Sequence, residues 1–165
     1  DVYKRQIMAA RDHPNRKQTR HPFYDYSNEG SYFVTTNIKG WRQLFGNVVD
    51  GQMILSEIGK IVDEIWLAQS NFFPGCRIDP CYIVMPNHFH GIVWIEKLYG
   101  QANGPPLPEI MRWFKTFSSK KINQQFPELW FAWQRSYHDR IIRDSDECDR
   151  IRTYIENNPS RWLND

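Results

Sequence analysis

Two histidines one residue apart are the first candidates for chemistry. In the segment CYIVMPNHFHGIVWIE, residues 81–96, His88 and His90 flank Phe89. Side chains alternate along a strand, so both imidazoles point to one face while Phe89 packs into the other. Two imidazoles so placed form half of a divalent-metal site. On the pair alone, two exposed or hydrogen-bonded histidines is the commoner reading. Tyr154 and Asn158, in TYIENNP, lie four residues apart and so share a helical face about one turn apart. An amide oxygen suits a hard cation such as Mg²⁺ as a third ligand. A phenol beside a divalent ion loses its proton more easily than its free pKa of roughly 10 implies, and a phenolate can attack phosphorus to form a covalent intermediate. Each residue also has a plainer role: Tyr154 as part of an amphipathic face near Ile151 and Ile155, and Asn158 as a helix terminator before Pro159.

These residues need elements to hold them. Residues 31–38 (SYFVTTNI) follow the turn signal Asn28-Glu29-Gly30 and are expected as a first strand. Residues 47–72 carry Ile54, Ile58, Ile61 and Ile65 at helical spacing, stopped by Pro74-Gly75. Residues 77–85 and 88–96 read as two strands joined across Pro86-Asn87, and 98–108 as a Gly/Pro-rich loop. A second helix puts Ile110, Trp113, Phe114 and Phe117 on one stripe, with Arg112, Lys115, Lys120 and Lys121 largely off it. Residues 131–143 are expected as a fourth strand. A last helix starts at Asp144, with Glu147 completing a capping-box pattern, and ends near Asn158. The order βαββαβα predicts an α+β fold, a ferredoxin-like βαββαβ sandwich with an additional C-terminal helix that carries Tyr154.

Composition bounds the class of protein. The 165 residues suit one domain, and 41% hydrophobic with 24% charged residues is ordinary for a globular chain. No apolar run approaches the ~18 residues that span a bilayer, so no membrane partner is expected. Three cysteines, Cys76, Cys81 and Cys148, cannot all pair and form no CxxC, which predicts a reduced, cytoplasmic setting. Aromatic content is the outlier at 15%, which means an aromatic core or rings kept for stacking. The net charge of +2 conceals an uneven spread: residues 1–46 hold eight Lys/Arg against four Asp/Glu, and residues 47–104 three against six. Asp1-Val2-Tyr3-Lys4-Arg5-Gln6 looks like a translated sequencing-adapter end, so residues 1–7 are expected to be non-native. Residues 8–30 then form a basic arm, with a single domain over 31–165.

With these segments in place, the sequence is similar to a known family. HFHGIVWI resembles the His-hydrophobic-His motif of single-tyrosine endonucleases. The chain as a whole, from about Arg16 to Trp162, resembles the REP-associated tyrosine transposases, relatives of the insertion-sequence-200 type. The blocks that carry the resemblance are Tyr24-Asp25-Tyr26-Ser27, Gly30, Tyr32-Phe33-Val34-Thr35, Leu44-Phe45-Gly46, Val84-Met85-Pro86-Asn87-His88-Phe89-His90, Phe114-Lys115, Trp133-Gln134, Tyr137-His138-Asp139-Arg140-Ile141-Ile142-Arg143, Tyr154-Ile155 and Asn158-Pro159. The chain stops at Asp165, where many relatives continue.

The resemblance implies a metal-dependent nickase and strand transferase for single-stranded DNA at REP-type hairpins. It matches His88 and His90 to the metal ligands, Asn158 to the residue that completes the site, and Tyr154 to the nucleophile that forms a 5′-phosphotyrosine. Mg²⁺ or Mn²⁺ is the implied cofactor, and relatives act as monomers or as homodimers. Arg16, Lys17, Arg20, Arg112, Lys115 and Lys120 are expected to contact phosphates, and Trp41, Trp133 or Tyr137 are candidates for stacking on bases. Two rival readings are a non-catalytic single-stranded nucleic-acid-binding module and a metal phosphoesterase that uses water as nucleophile.

Overall fold

A computed structural model describes residues 20–162. Residues 1–7, most of the arm, and with it Arg16 and Lys17, lie outside the described residues.

The first strand, β1 (Gly30–Asn37), runs through the middle of the main sheet. The next segment departs from the expected helix over 47–72. Residues 46–55 form a hairpin, β2 (Gly46–Val49) with β3 (Gln52–Leu55), and α1 (Glu57–Phe72) begins only after it. Asp50 and Gly51 both have positive φ, 51° and 73°, the backbone that a two-residue hairpin turn demands. Ile54 therefore sits on a strand, and helical spacing holds only from Ile58 onward. Ser56 caps α1 by accepting from the Gly59 N–H at 3.1 Å.

Three strands follow: β4 (Cys76–Ile78), β5 (Ile83–Val84) and β6 (His88–Ile95). The expected strand over 77–85 is thus split in two. Both pieces pair antiparallel with β6, and the tight turn across Pro86-Asn87 closes with Met85 N–H donating to His88 O at 2.8 Å. The second helix, α2, is Leu107–Gln125. The expected fourth strand over 131–143 shortens to β7 (His138–Ile142). Phe131 and Trp133 are apolar because they plug the core, where Phe45 lies 5.8 and 5.2 Å from their rings, and only an isolated bridge joins Trp133 to Ile38. The chain ends with α3 (Ser145–Glu156) and a short α4 (Asn158–Arg161).

The main sheet runs β4-β6-β1-β7 with every pair antiparallel, and β5 also pairs with β6. This is the expected α+β, ferredoxin-like arrangement. The two faces differ sharply. On one, α1 and α2 cover a large core in which Trp66, Phe89 and Phe114 meet, with ring centroids 4.4 to 5.2 Å apart. Most of the aromatic surplus is spent here. On the other face a much smaller cluster, Ile92 and Ile142 from the sheet against Cys148, Ile151 and Ile155, seats α3. None of the described helices is long and apolar enough to cross a membrane.

Candidate active site

The site is built on the sheet face that α3 partly covers. β6 alternates as expected: Phe89 enters the large core while His88 and His90 emerge together, their rings 4.7 Å apart. Register sets Thr35 opposite His90 and Asn37 opposite His88. Thr35 Oγ1 lies 2.7 Å from His90 Nδ1, and Asn87 Oδ1 2.7 Å from His88 Nδ1. Each ring is therefore held through one nitrogen, which leaves its Nε2 for another partner, the arrangement found around metal-ligating histidines.

Tyr154 comes from the last full turn of α3. Its ring lies 5.5 Å from His90 and 6.2 Å from Phe33, which itself stacks on His90 at 5.5 Å. It is 42% exposed, so a substrate can approach from solvent. Asn158 arrives by a route the sequence reading did not foresee. α3 stops at Glu156, and Asn158 opens α4, so it does not continue the helical face of Tyr154. Its side chain nevertheless reaches His88 and hydrogen-bonds to it in the sense that favours the protonated ring.

These donors fit a divalent cation. Burial pushes the His88 imidazole below its ordinary value; burial, with His88 alongside, pushes His90 down to about 3. Both rings are neutral near pH 7, the form that binds metal. His88 has the oxygen of Asn87 on one side and the side chain of Asn158 on another. A neutral imidazole has one N–H, so it serves two acceptor oxygens only if a cation replaces the missing proton. Among the described residues no cluster of three His, Cys, Asp or Glu offers a rival centre, which leaves the amide of Asn158 as the third donor beside the histidine pair.

Several residues that hold this geometry have no local sequence signal. Asp144 caps α3 by accepting from Glu147 N–H at 2.7 Å. Glu147 in turn accepts from Arg143 N–H at 2.9 Å, one residue before the cap that a capping box would use. Arg152, two residues before Tyr154, donates to the buried Asp79 at 2.6 and 3.4 Å, and Asp79 also accepts from Trp94 Nε1 and Cys81 N–H. Trp162 lies 6.0 Å from His88.

The expected phosphate contacts fall elsewhere. Arg20 turns inward, 4.2 Å over the Tyr137 ring and 3.9 Å from Asp139. Lys115 donates to the carbonyl oxygens of Gln134 and Ser136; burial, with Arg20 nearby, pushes its ammonium down to about 8. Arg112 and Lys120 are exposed on α2, across the sheet from the histidines. Trp133 and Tyr137 are buried and present no face to a base, whereas Trp41 is exposed.

Fold and site together define an α+β protein with a helix-borne tyrosine set over a histidine pair. The chain belongs to the family described as Transposase IS200 like, whose sequence profile matches residues 75–158 and so takes in both histidines, Tyr154 and Asn158. That family makes it a DNA-processing enzyme. An uncharacterized protein of Haemophilus influenzae is 36% identical over 167 residues, 92% of each chain. Among solved structures, a REP-associated tyrosine transposase bound to a REP hairpin is similar in fold: TM-score 0.62, 18% identity, covering 86% of this chain and 73% of the other. A candidate transposase of Deinococcus radiodurans gives a TM-score of 0.52 at 18% identity, covering 84% of this chain and 95% of the other.

Proposed function

We propose that the protein nicks and rejoins single-stranded DNA at hairpins, with Tyr154 as the nucleophile. The observation that carries this reading is the Tyr154 ring against His90, beside His88, on an open face of the sheet. The phenol oxygen of Tyr154 attacks the scissile phosphorus in line. The bond from phosphorus to the 3′ oxygen breaks, that oxygen takes a proton, and the DNA is left as a 5′-phosphotyrosine beside a free 3′-hydroxyl. Attack by a 3′-hydroxyl of the same or another strand reverses the step and rejoins DNA without ATP.

His88, His90 and Asn158 are the residues that would hold Mg²⁺ or Mn²⁺, which when bound supplies Lewis-acid polarisation of the phosphate. Thr35 and Asn87 fix the ring orientations, and Phe33 packs against both His90 and Tyr154. Hairpin DNA as the substrate is supported by the fold shared with the REP-associated transposase bound to its hairpin. A cytoplasmic location accords with three cysteines that stay free.

The test is a denaturing gel that detects protein–DNA adducts on hairpin oligonucleotides with Mg²⁺ or Mn²⁺. Tyr154→Phe is expected to abolish the adduct while hairpin binding stays near wild type. Undiminished adduct from that variant overturns the assignment. Cleavage without any adduct in the wild type would favour water as the nucleophile, and binding without cleavage a non-catalytic module. In His88→Ala/His90→Ala, cleavage is expected to be lost at every metal concentration; retained metal-stimulated cleavage refutes the ligand roles.

A further inference from the structure

Beyond the His88–Tyr154 face, two tryptophans stand in solvent. Trp41 closes the short 3₁₀ turn Lys39–Trp41 and is 59% exposed; Trp130 caps the turn Pro127–Leu129 and is 86% exposed. Both have left-handed backbones, φ 57° and 48°. That conformation crowds Cβ against a carbonyl oxygen and is ordinarily left to Gly or Asn. Nothing within the described residues offsets it. The ring contacts and indole hydrogen bonds belong to Trp66, Trp94, Trp113, Trp133 and Trp162, and neither Trp41 nor Trp130 has one.

The two turns form one surface. Lys39 N–H donates to Ala132 O at 2.9 Å, Gln134 N–H to Asn37 O at 2.8 Å, and Arg42 Nη1 to Leu129 O at 2.6 Å. Three cations, Lys39, Arg42 and Arg135, surround the rings against one acid, Glu128. Among the described residues Lys39 and Arg135 have no side-chain partner. A shallow cavity of about 390 Å³ adjoins them, lined in part by Ser119, Gln134 and Arg135. The surface begins where β1 ends: Asn37 is opposite His88 in the sheet, and Ile38 N–H donates to Asn87 O. A strand lying at His88 can continue onto it.

We propose that this surface is a subsite for unpaired DNA, in which Trp41 and Trp130 stack on bases while Lys39 and Arg135 contact the adjoining phosphates. Rings set apart by cations suit a chain that alternates flat bases with anions, whereas a protein interface would gather them into one apolar patch. The inference rests on the DNA reading above and adds to it where the single strand beside the hairpin is gripped.

The test measures Kd by anisotropy for three oligonucleotides: a blunt hairpin, the same hairpin with a single-stranded flank, and the flanked hairpin with abasic sites in the flank. Wild type is expected to bind the intact flank about tenfold more tightly than the abasic one. Trp41→Asn/Trp130→Asn keeps residues that tolerate the left-handed backbone; it is expected to erase that preference and leave blunt-hairpin binding unchanged. Lys39→Gln/Arg135→Gln is expected to reduce the salt slope of flank binding by about 0.7 per cation. A double Asn variant with wild-type preference overturns the subsite while the DNA reading stands. Equal weakening on the blunt hairpin overturns it too, since the rings then serve no flank. Wild type that binds none of the three removes both readings together.

Discussion

Replacing Asp79 by Asn should loosen the helix that carries the nucleophile without disturbing the main core. Asp79 is 1% exposed and accepts four hydrogen bonds, two of them from Arg152 on α3. A hydrogen bond to a charged group contributes about 1.5–3 kcal/mol, and because Arg152 is partly exposed, water recovers some of that. A loss of about 2 kcal/mol shifts the ratio of docked to undocked helix by roughly 30-fold. The helix has little else to hold it, since only Cys148, Ile151 and Ile155 bury against Ile92 and Ile142.

Native-state hydrogen exchange reads this directly: amides of α3 should exchange about 30-fold faster while those of α1 keep their rates. Adduct formation should slow with little change in hairpin Kd, and Arg152→Lys, which keeps the charge but not the fork, should fall in between. pH gives an independent check. Burial alone would raise the Asp79 carboxyl, but Arg152, Cys81 N–H and Trp94 hold it below the ordinary carboxylate value. A depressed folded pKa means the contribution is complete above the unfolded value of about 3.9 and is lost as pH falls through the folded one. Protection of α3, corrected for intrinsic rates, should thus stay level from pH 8 to about 5 and decline only below about 4. Unchanged α3 exchange in Asp79→Asn refutes the positioning role.

Two further outcomes follow from packing and from the histidines. Gly59→Ala would ordinarily stabilise a helix by about 1 kcal/mol, but here a Cβ would meet the Phe45 carbonyl oxygen at 2.1 Å. The sign should therefore reverse, with a lower urea midpoint and an unchanged m-value. His90 is pushed far below its unfolded pKa of about 6.5. In metal-free buffer its contribution to stability should be complete above pH 6.5 and fall by up to about 1.4 kcal/mol per unit as pH drops toward 3. Urea midpoints that are level from pH 7.5 to 5 would contradict this.

The site was legible wherever a local rule governed it. Alternation along 88–95 put His88 and His90 on one face, and Asp144 signalled the start of α3. What stayed hidden was what depends on distant partners. Asp79 and Arg152 are 73 residues apart, and neither has a pattern that names the other. Thr35 meets His90 only through the β1–β6 register. The β2–β3 hairpin was masked because Ile54 happens to fall in phase with the isoleucines of α1, and that coincidence outweighed the Asp50-Gly51 turn. Phe131 and Trp133 read as a strand because a core plug and a strand both place large apolar residues two apart.

The connection between β7 and α3 is only Arg143 and Asp144. Two residues extend at most about 7 Å, so the helix leaves the sheet edge and folds straight back over the histidines of its own chain. One copy of the polypeptide thus brings attacking group and ligands together at a local concentration fixed by that short tether, unaffected by dilution. The first-order behaviour expected of such an arrangement means that a single molecule, meeting a single hairpin, is a whole reaction vessel.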